Sequence, residues 1–141
     1  MSRVINPDSV GKERTRLTKS IVLCMREMMK MAKVTPEAKD MASFIALALQ
    51  SISEGVDVSV DAWEKRDYWV KSEELRQRWM WVGDMADQLR AMIYADQWTL
   101  LPPMMLKLLP KVADIKITKM TRDVSLWDGV YDTLMKEKPA K

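Results

Sequence analysis

The chain has 141 residues, of which 48% are hydrophobic and 30% charged, with a formal net charge of +3. That composition is that of one ordinary globular domain and excludes a disordered tail, a collagen-like repeat or a mucin stalk. The absence of histidine excludes imidazole bases and histidine-ligated metals, and a single cysteine, Cys24, excludes disulfides and zinc–thiolate clusters.

Taken in chain order, Met1 to Arg16 mixes Arg3, Asp8, Lys12, Glu13, Arg14 and Arg16 with polar residues and has no apolar signal core. With the lone thiol, this makes a reducing, cytoplasmic location the expectation. Few glycines and prolines and almost no β-branched alternation divide the rest into helices, so the fold expected is all-α. A first helix is predicted from about Ser9 to Lys33. Thr35 as N-cap and Pro36 as first helical residue open a second. Gly55 is read as the residue that ends it, Val56 to Val60 as a linker, and Asp61 with Glu64 as a capping box.

From Asp61 the helical pattern continues to about Gln97, with a break allowed at Ser72, so one long central helix is expected over about 61–97. Thr99 to Pro103 can only be a helix start, and Pro110 should end or kink that helix. The stretch to Arg122 is ambiguous between helix and extended chain. Ser125 and Asp128 open a last short helix to about Lys136. A compact bundle of four to five helices follows, with residues 1–135 as one domain and 136–141 as a frayed basic tail. The longest apolar-rich run, Met41 to Ile52, falls well short of the roughly 20 residues that span a bilayer, so no membrane partner is expected.

Helical faces carry the functional candidates. On the first helix Leu17, Ile21, Cys24, Met28 and Met31 form an inward stripe, widened by Val22, Met25, Met29 and Ala32. Positions 12, 16, 19, 23, 26, 30 and 33 form an opposite row in which all but Leu23 are basic. Lys12, Arg16, Lys19, Arg26, Lys30 and Lys33 could track phosphates, since each contact releases counterions; a solvated face would carry the same residues. Residues 1–35 hold eight Lys/Arg against three Asp/Glu, and residues 36–70 three against seven. An acidic region of one subunit could therefore meet the basic row of another. The second helix is apolar almost all round and belongs at the centre, with Ile45 and Leu47 as core. Along the third, Leu75, Trp79, Val82, Ala86, Leu89 and Ile93 form a seam. A second row, Trp81, Met85 and Met92, reads either as further core or as an oligomer or partner face. Basic and aromatic residues also interleave at Trp63 to Trp69 and at Arg76 to Trp81, a pattern that can stack bases while holding phosphates.

The isolated glycines cannot build a phosphate loop, and Asp57, Ser59 and Asp61 only begin a calcium loop, because Ala62 and Tyr68 stand where Gly and Glu are required. Two carboxylate pairs, Glu37 with Asp40 and Glu64 with Asp67, could hold Mg²⁺ without histidine. Over these four residues the pattern is similar to the acidic doublets of all-α nucleotide pyrophosphohydrolases, which implies a Mg-dependent nucleotide hydrolase. If the two helices that carry them are antiparallel, the doublets fall on the order of 25 Å apart, and both pairs also suit helix N-termini. The expectation is a non-enzymatic, cofactor-free bundle that acts through protein contacts and self-associates. Nucleic-acid binding through the basic row and the Mg-dependent hydrolase are the two alternatives.

Overall fold

A computed structural model describes residues 7–113, 115 and 126–139, with side chains from Val10 onward. They form an all-α bundle: α1 (Pro7–Met29), α2 (Pro36–Lys65), α3 (Trp69–Trp79), α4 (Trp81–Tyr94), a 3₁₀ turn (Trp98–Leu100), α5 (Leu101–Val112) and α6 (Val130–Lys136). The Ala38 N–H donates to Thr35 Oγ1 at 3.0 Å, and Pro36 occupies the first turn, so α2 starts where the sequence signals it. In α5, Pro102 and Pro103 occupy the first turn and Pro110 sits in the last. That helix runs two residues past Pro110. Residues 116–122, which the sequence leaves between helix and extended chain, and the expected start at Ser125 lie outside the described residues. The helix read from Ser125 is described as α6, which begins at Val130 behind Gly129 at φ 77°.

The expected break at Gly55 does not occur, because α2 continues through it as one 30-residue helix. Gly55 serves packing instead: a Cβ there would stand 2.9 Å from Val10 Cγ1 of α1. Gly83 of α4 plays the same part against α2, where Ser53 Oγ would stand 3.0 Å from a Cβ on Gly83. Missing side chains let α1 and α4 approach α2 closely on two sides. Val56 to Val60 is therefore helix rather than linker, and Asp61 is a helical residue paired with Lys65 at 2.9 Å rather than a cap.

The long central helix is Pro36–Lys65, not 61–97. Asp67, at φ 62°, ends it: the Tyr68 N–H donates to Trp63 O at 2.9 Å and the Asp67 N–H to Glu64 O at 3.0 Å. This is the Schellman closure with aspartate in the left-handed position usually given to glycine. Asp96, at φ 57°, ends α4 in the same way, through Gln97 N–H to Met92 O at 3.0 Å and Asp96 N–H to Ile93 O at 3.1 Å. Asp tolerates this conformation better than most residues. Ser72, the other expected break, is buried inside α3 and donates to Trp69 O at 2.9 Å.

α2 lies at the centre and packs against α1, α3, α4 and α6. Met41, Ile45, Leu49 and Ile52 along it are fully buried, together with Ile21, Leu89, Ile93, Leu108 and Trp127 from its surroundings. Leu47, expected in the core, is only half-buried at its edge. By length and composition α2 contains a stretch long and apolar enough to cross a bilayer, more than its Met41–Ile52 run suggests. Here the same apolar character packs under four helices, while Glu54, Asp57 and Asp61 stay exposed.

Candidate functional site

The basic row emerges on the outside of α1. Lys12, Arg16, Lys19 and Arg26 are exposed over roughly 21 Å of helix. Three facts shorten it. Leu23 in its middle is buried. α1 ends at Met29, so Lys30 and Lys33 belong to the connection that follows. Arg16 is paired with Glu13, and Lys30 with the buried Glu27 at 2.9 Å. The hydrogen bond from Arg16 holds the Glu13 carboxyl below its ordinary range, so that pair is ionised at neutral pH.

Trp81, Met85 and Met92 do not make an open face. Met85 and Met92 are 8% and 2% exposed, covered within the chain, and Trp81 stacks on Trp79 with ring centroids 6.2 Å apart. The Trp81 Nε1–H donates to Arg78 O at 3.1 Å. One neighbour cannot bury two rows of α4, and the bundle supplies several.

The carboxylate doublets fall at opposite ends of α2's run, Glu37 and Glu64 roughly 40 Å apart along it. Three of the four carboxylates have structural partners. Glu37 accepts from Trp127 Nε1 at 3.3 Å, and Asp40 accepts from the backbone N–H groups of Gly129 and Tyr131 at 3.1 and 2.9 Å. Glu64 accepts from Arg76 at 2.9 Å, and Asp67 is the left-handed closing residue. Among the described residues no group of carboxylates and thiols converges on a metal position.

The structure does open a surface that the helical stripes concealed. Between the end of α1, the connection to α2 and α5 lies an apolar groove of about 340 Å³. Met25, Met28, Met29 and Met31 form one wall, and Met105, Leu106 and Leu109 much of the other. Met29 is 68% and Leu106 70% exposed, so the rims present large apolar side chains to water. Lys33 is the one charged residue lining it among those described, and exposed Lys30 follows the rim residue Met29 in the chain. The α5 sequence explains the wall: Leu101, Met104, Leu108 and Val112 turn into the core, leaving Leu106 and Leu109 outward. In the sequence these methionines read as core. The signal that could have separated them was thirteen methionines in one small chain, more than a core needs.

No family model, curated protein or solved structure matches this chain, so the functional reading rests on its own side chains.

Proposed function

We propose that the protein is a non-enzymatic, cytoplasmic binding module whose methionine groove receives an amphipathic helix from another protein. The observation that supports this most is the groove itself, with Met29 and Leu106 exposed on facing rims. Exposed apolar surface at such a density is costly in water unless something covers it part of the time. Flexible thioethers adapt to differing helix faces. Lys33 in the lining, with Lys30 beside the Met29 rim, favours a partner whose polar face is acidic. The same cations disfavour a second copy in this groove, since a two-fold contact would set the lysines of both copies near one another. Self-association in this reading is therefore secondary to binding another chain.

The test uses two synthetic amphipathic helical peptides with the same leucine face, one with a glutamate and one with a lysine polar face. Labelled peptide anisotropy should show saturable binding of the acidic peptide and at least about tenfold weaker binding of the basic one, a 1.4 kcal/mol preference. Met29→Asp and Leu106→Asp should each abolish the binding with the fold intact by circular dichroism. If neither peptide binds, or the variants bind as well as the parent, the reading is wrong. Light scattering that shows a dimer dissociated by Met29→Asp would assign the groove to a second copy instead.

A further inference from the structure

At the far end of α1 from the methionine groove lies a cleft of a different character. It has a volume of about 510 Å³ and lies between the first turns of α1 and the last turns of α2, with Lys12, Arg14, Thr15, Ser59, Trp63 and Arg66 in its lining. Three cations line it and no carboxylate does, among the described residues. Of the carboxylates close to these residues in sequence, Glu13 pairs with Arg16, Asp61 with Lys65 and Glu64 with Arg76, while Asp67 follows Arg66 in the left-handed turn that ends α2.

Arg14 is the most unusual of the three. Its Nη1 is buried with no hydrogen-bond partner among the described residues, while Nη2 reaches back to 3.8 Å from the place where a Cβ of Gly11 would stand. The guanidinium lies over the Trp79 ring at 5.7 Å, and Arg78 lies over that ring at 5.9 Å. Burial, and then the like charge of Arg78, depress its pKa, so the protein works against this charge instead of neutralising it. A half-buried guanidinium with one buried nitrogen left without an acceptor among the described residues is unfavourable for folding. Its retention beside an open cationic cleft is accounted for if an external anion completes the site.

We propose that this cleft binds the terminal phosphate of a small molecule, between Arg14 and Lys12 of α1 and Arg66 at the C-cap of α2, with the Ser59 hydroxyl as a further donor. Two guanidinium groups and an ammonium match the charge of a phosphomonoester dianion. Thr15 contributes little, because its hydroxyl already donates to Gly11 O at 3.2 Å. The half-buried indole of Trp63 gives the rest of the ligand an apolar wall. A nucleic-acid backbone fits less well: a run of phosphodiesters needs an outward row, as on Lys19 and Arg26, whereas this cleft is inset between two helices.

The experiment is a calorimetric titration of the full chain with inorganic phosphate, pyrophosphate and an oligothymidylate, with thermal melts in parallel. Pyrophosphate or phosphate should bind saturably and raise Tm. Arg14→Gln and Arg66→Gln should each weaken binding at least about tenfold, while the Lys19→Glu, Arg26→Glu double variant leaves it unchanged. Without ligand, Arg14→Gln should melt higher than the parent, because it removes a half-buried charge held against the like charge of Arg78; a residue serving only structure would melt lower. No saturable binding of either anion overturns the proposal, as does equal loss in the surface double variant. Oligothymidylate binding that displaces phosphate would overturn it in favour of a phosphodiester site.

Discussion

Asp40, in the second turn of α2, accepts the backbone N–H of Tyr131 at 2.9 Å and that of Gly129 at 3.1 Å, so the helix cap of α6 is supplied by a residue about ninety positions earlier. A short helix closed by its own Gly129 has no side-chain cap, and the carboxylate stands in for one. Asp40→Ala should therefore cost about 1–2 kcal/mol and speed amide exchange in α6. Asp40→Asn should cost less, because one oxygen can still accept. Denaturation curves superimposable on the parent would show that the cap contributes nothing.

Gly55→Ala tests the close approach of α1. Alanine should gain up to about 1 kcal/mol in helix propensity. The new methyl group meets Val10 Cγ1 at 2.9 Å, closer than carbon atoms pack. Overpacking of this kind costs about 1–3 kcal/mol, so the net change is destabilising. Val10→Ala in the same chain should recover most of the loss, and the two changes should be non-additive in urea denaturation. A stabilised single variant would mean that the contact is loose.

The two left-handed aspartates should respond differently to glycine. Asp67→Gly relieves the backbone and should stabilise by about 0.5–1 kcal/mol. Asp96 has a second task, since its Oδ1 accepts the Trp98 Nε1–H at 2.6 Å and fixes the start of the 3₁₀ turn. Asp96→Gly should therefore gain less than Asp67→Gly, or lose stability. Equal effects in thermal melts would remove the role assigned to the Trp98 hydrogen bond.

Cys24 should be inert in the folded protein. Burial, with a smaller contribution from Glu27, pushes its thiol from the ordinary 9.0 to about 12. At pH 8 a thiol reagent should label it only after denaturant is added. Because the folded pKa is the higher one, this group's contribution to stability is complete below about pH 9 and is lost as the pH rises from there toward 12. Rapid labelling under native conditions would place Cys24 at the surface.

The parts of this fold that could be read from sequence are those where local chemistry and tertiary packing agree. Thr35–Pro36 caps α2 whatever packs against it, and the Ile21, Cys24, Met28 stripe has one buried side. The glycines were misleading for a physical reason: Gly55 and Gly83 are needed for helix approach, a role set by residues far away in the chain, while aspartates took the turns where glycine is the usual choice. Boundaries inside 56–97 shifted accordingly. The methionine groove was hidden because exposure of Met29 depends on where α5 lies. The Arg14 cleft joins turns more than forty residues apart, and the row reading passed over Arg14 because it lies off the row.

The attachment of α6 also bears on the order in which the molecule assembles. The turn from α1 to α2 spans six residues, so those two helices can meet at little entropic cost. Bringing Tyr131 to Asp40 closes a loop of 91 residues, about 2 kcal/mol harder on chain entropy alone. Burial of Trp127 and the links of Tyr94 Oη to Leu134 O at 3.1 Å and Lys138 to Tyr94 O at 3.0 Å offset that cost only once α2 and α4 are in place. The α1–α2 pair is thus the early unit of folding and α6 the late one. Run backwards, the same sequence makes release of α6 the first opening of the native protein, and Trp127 the indole that reports it.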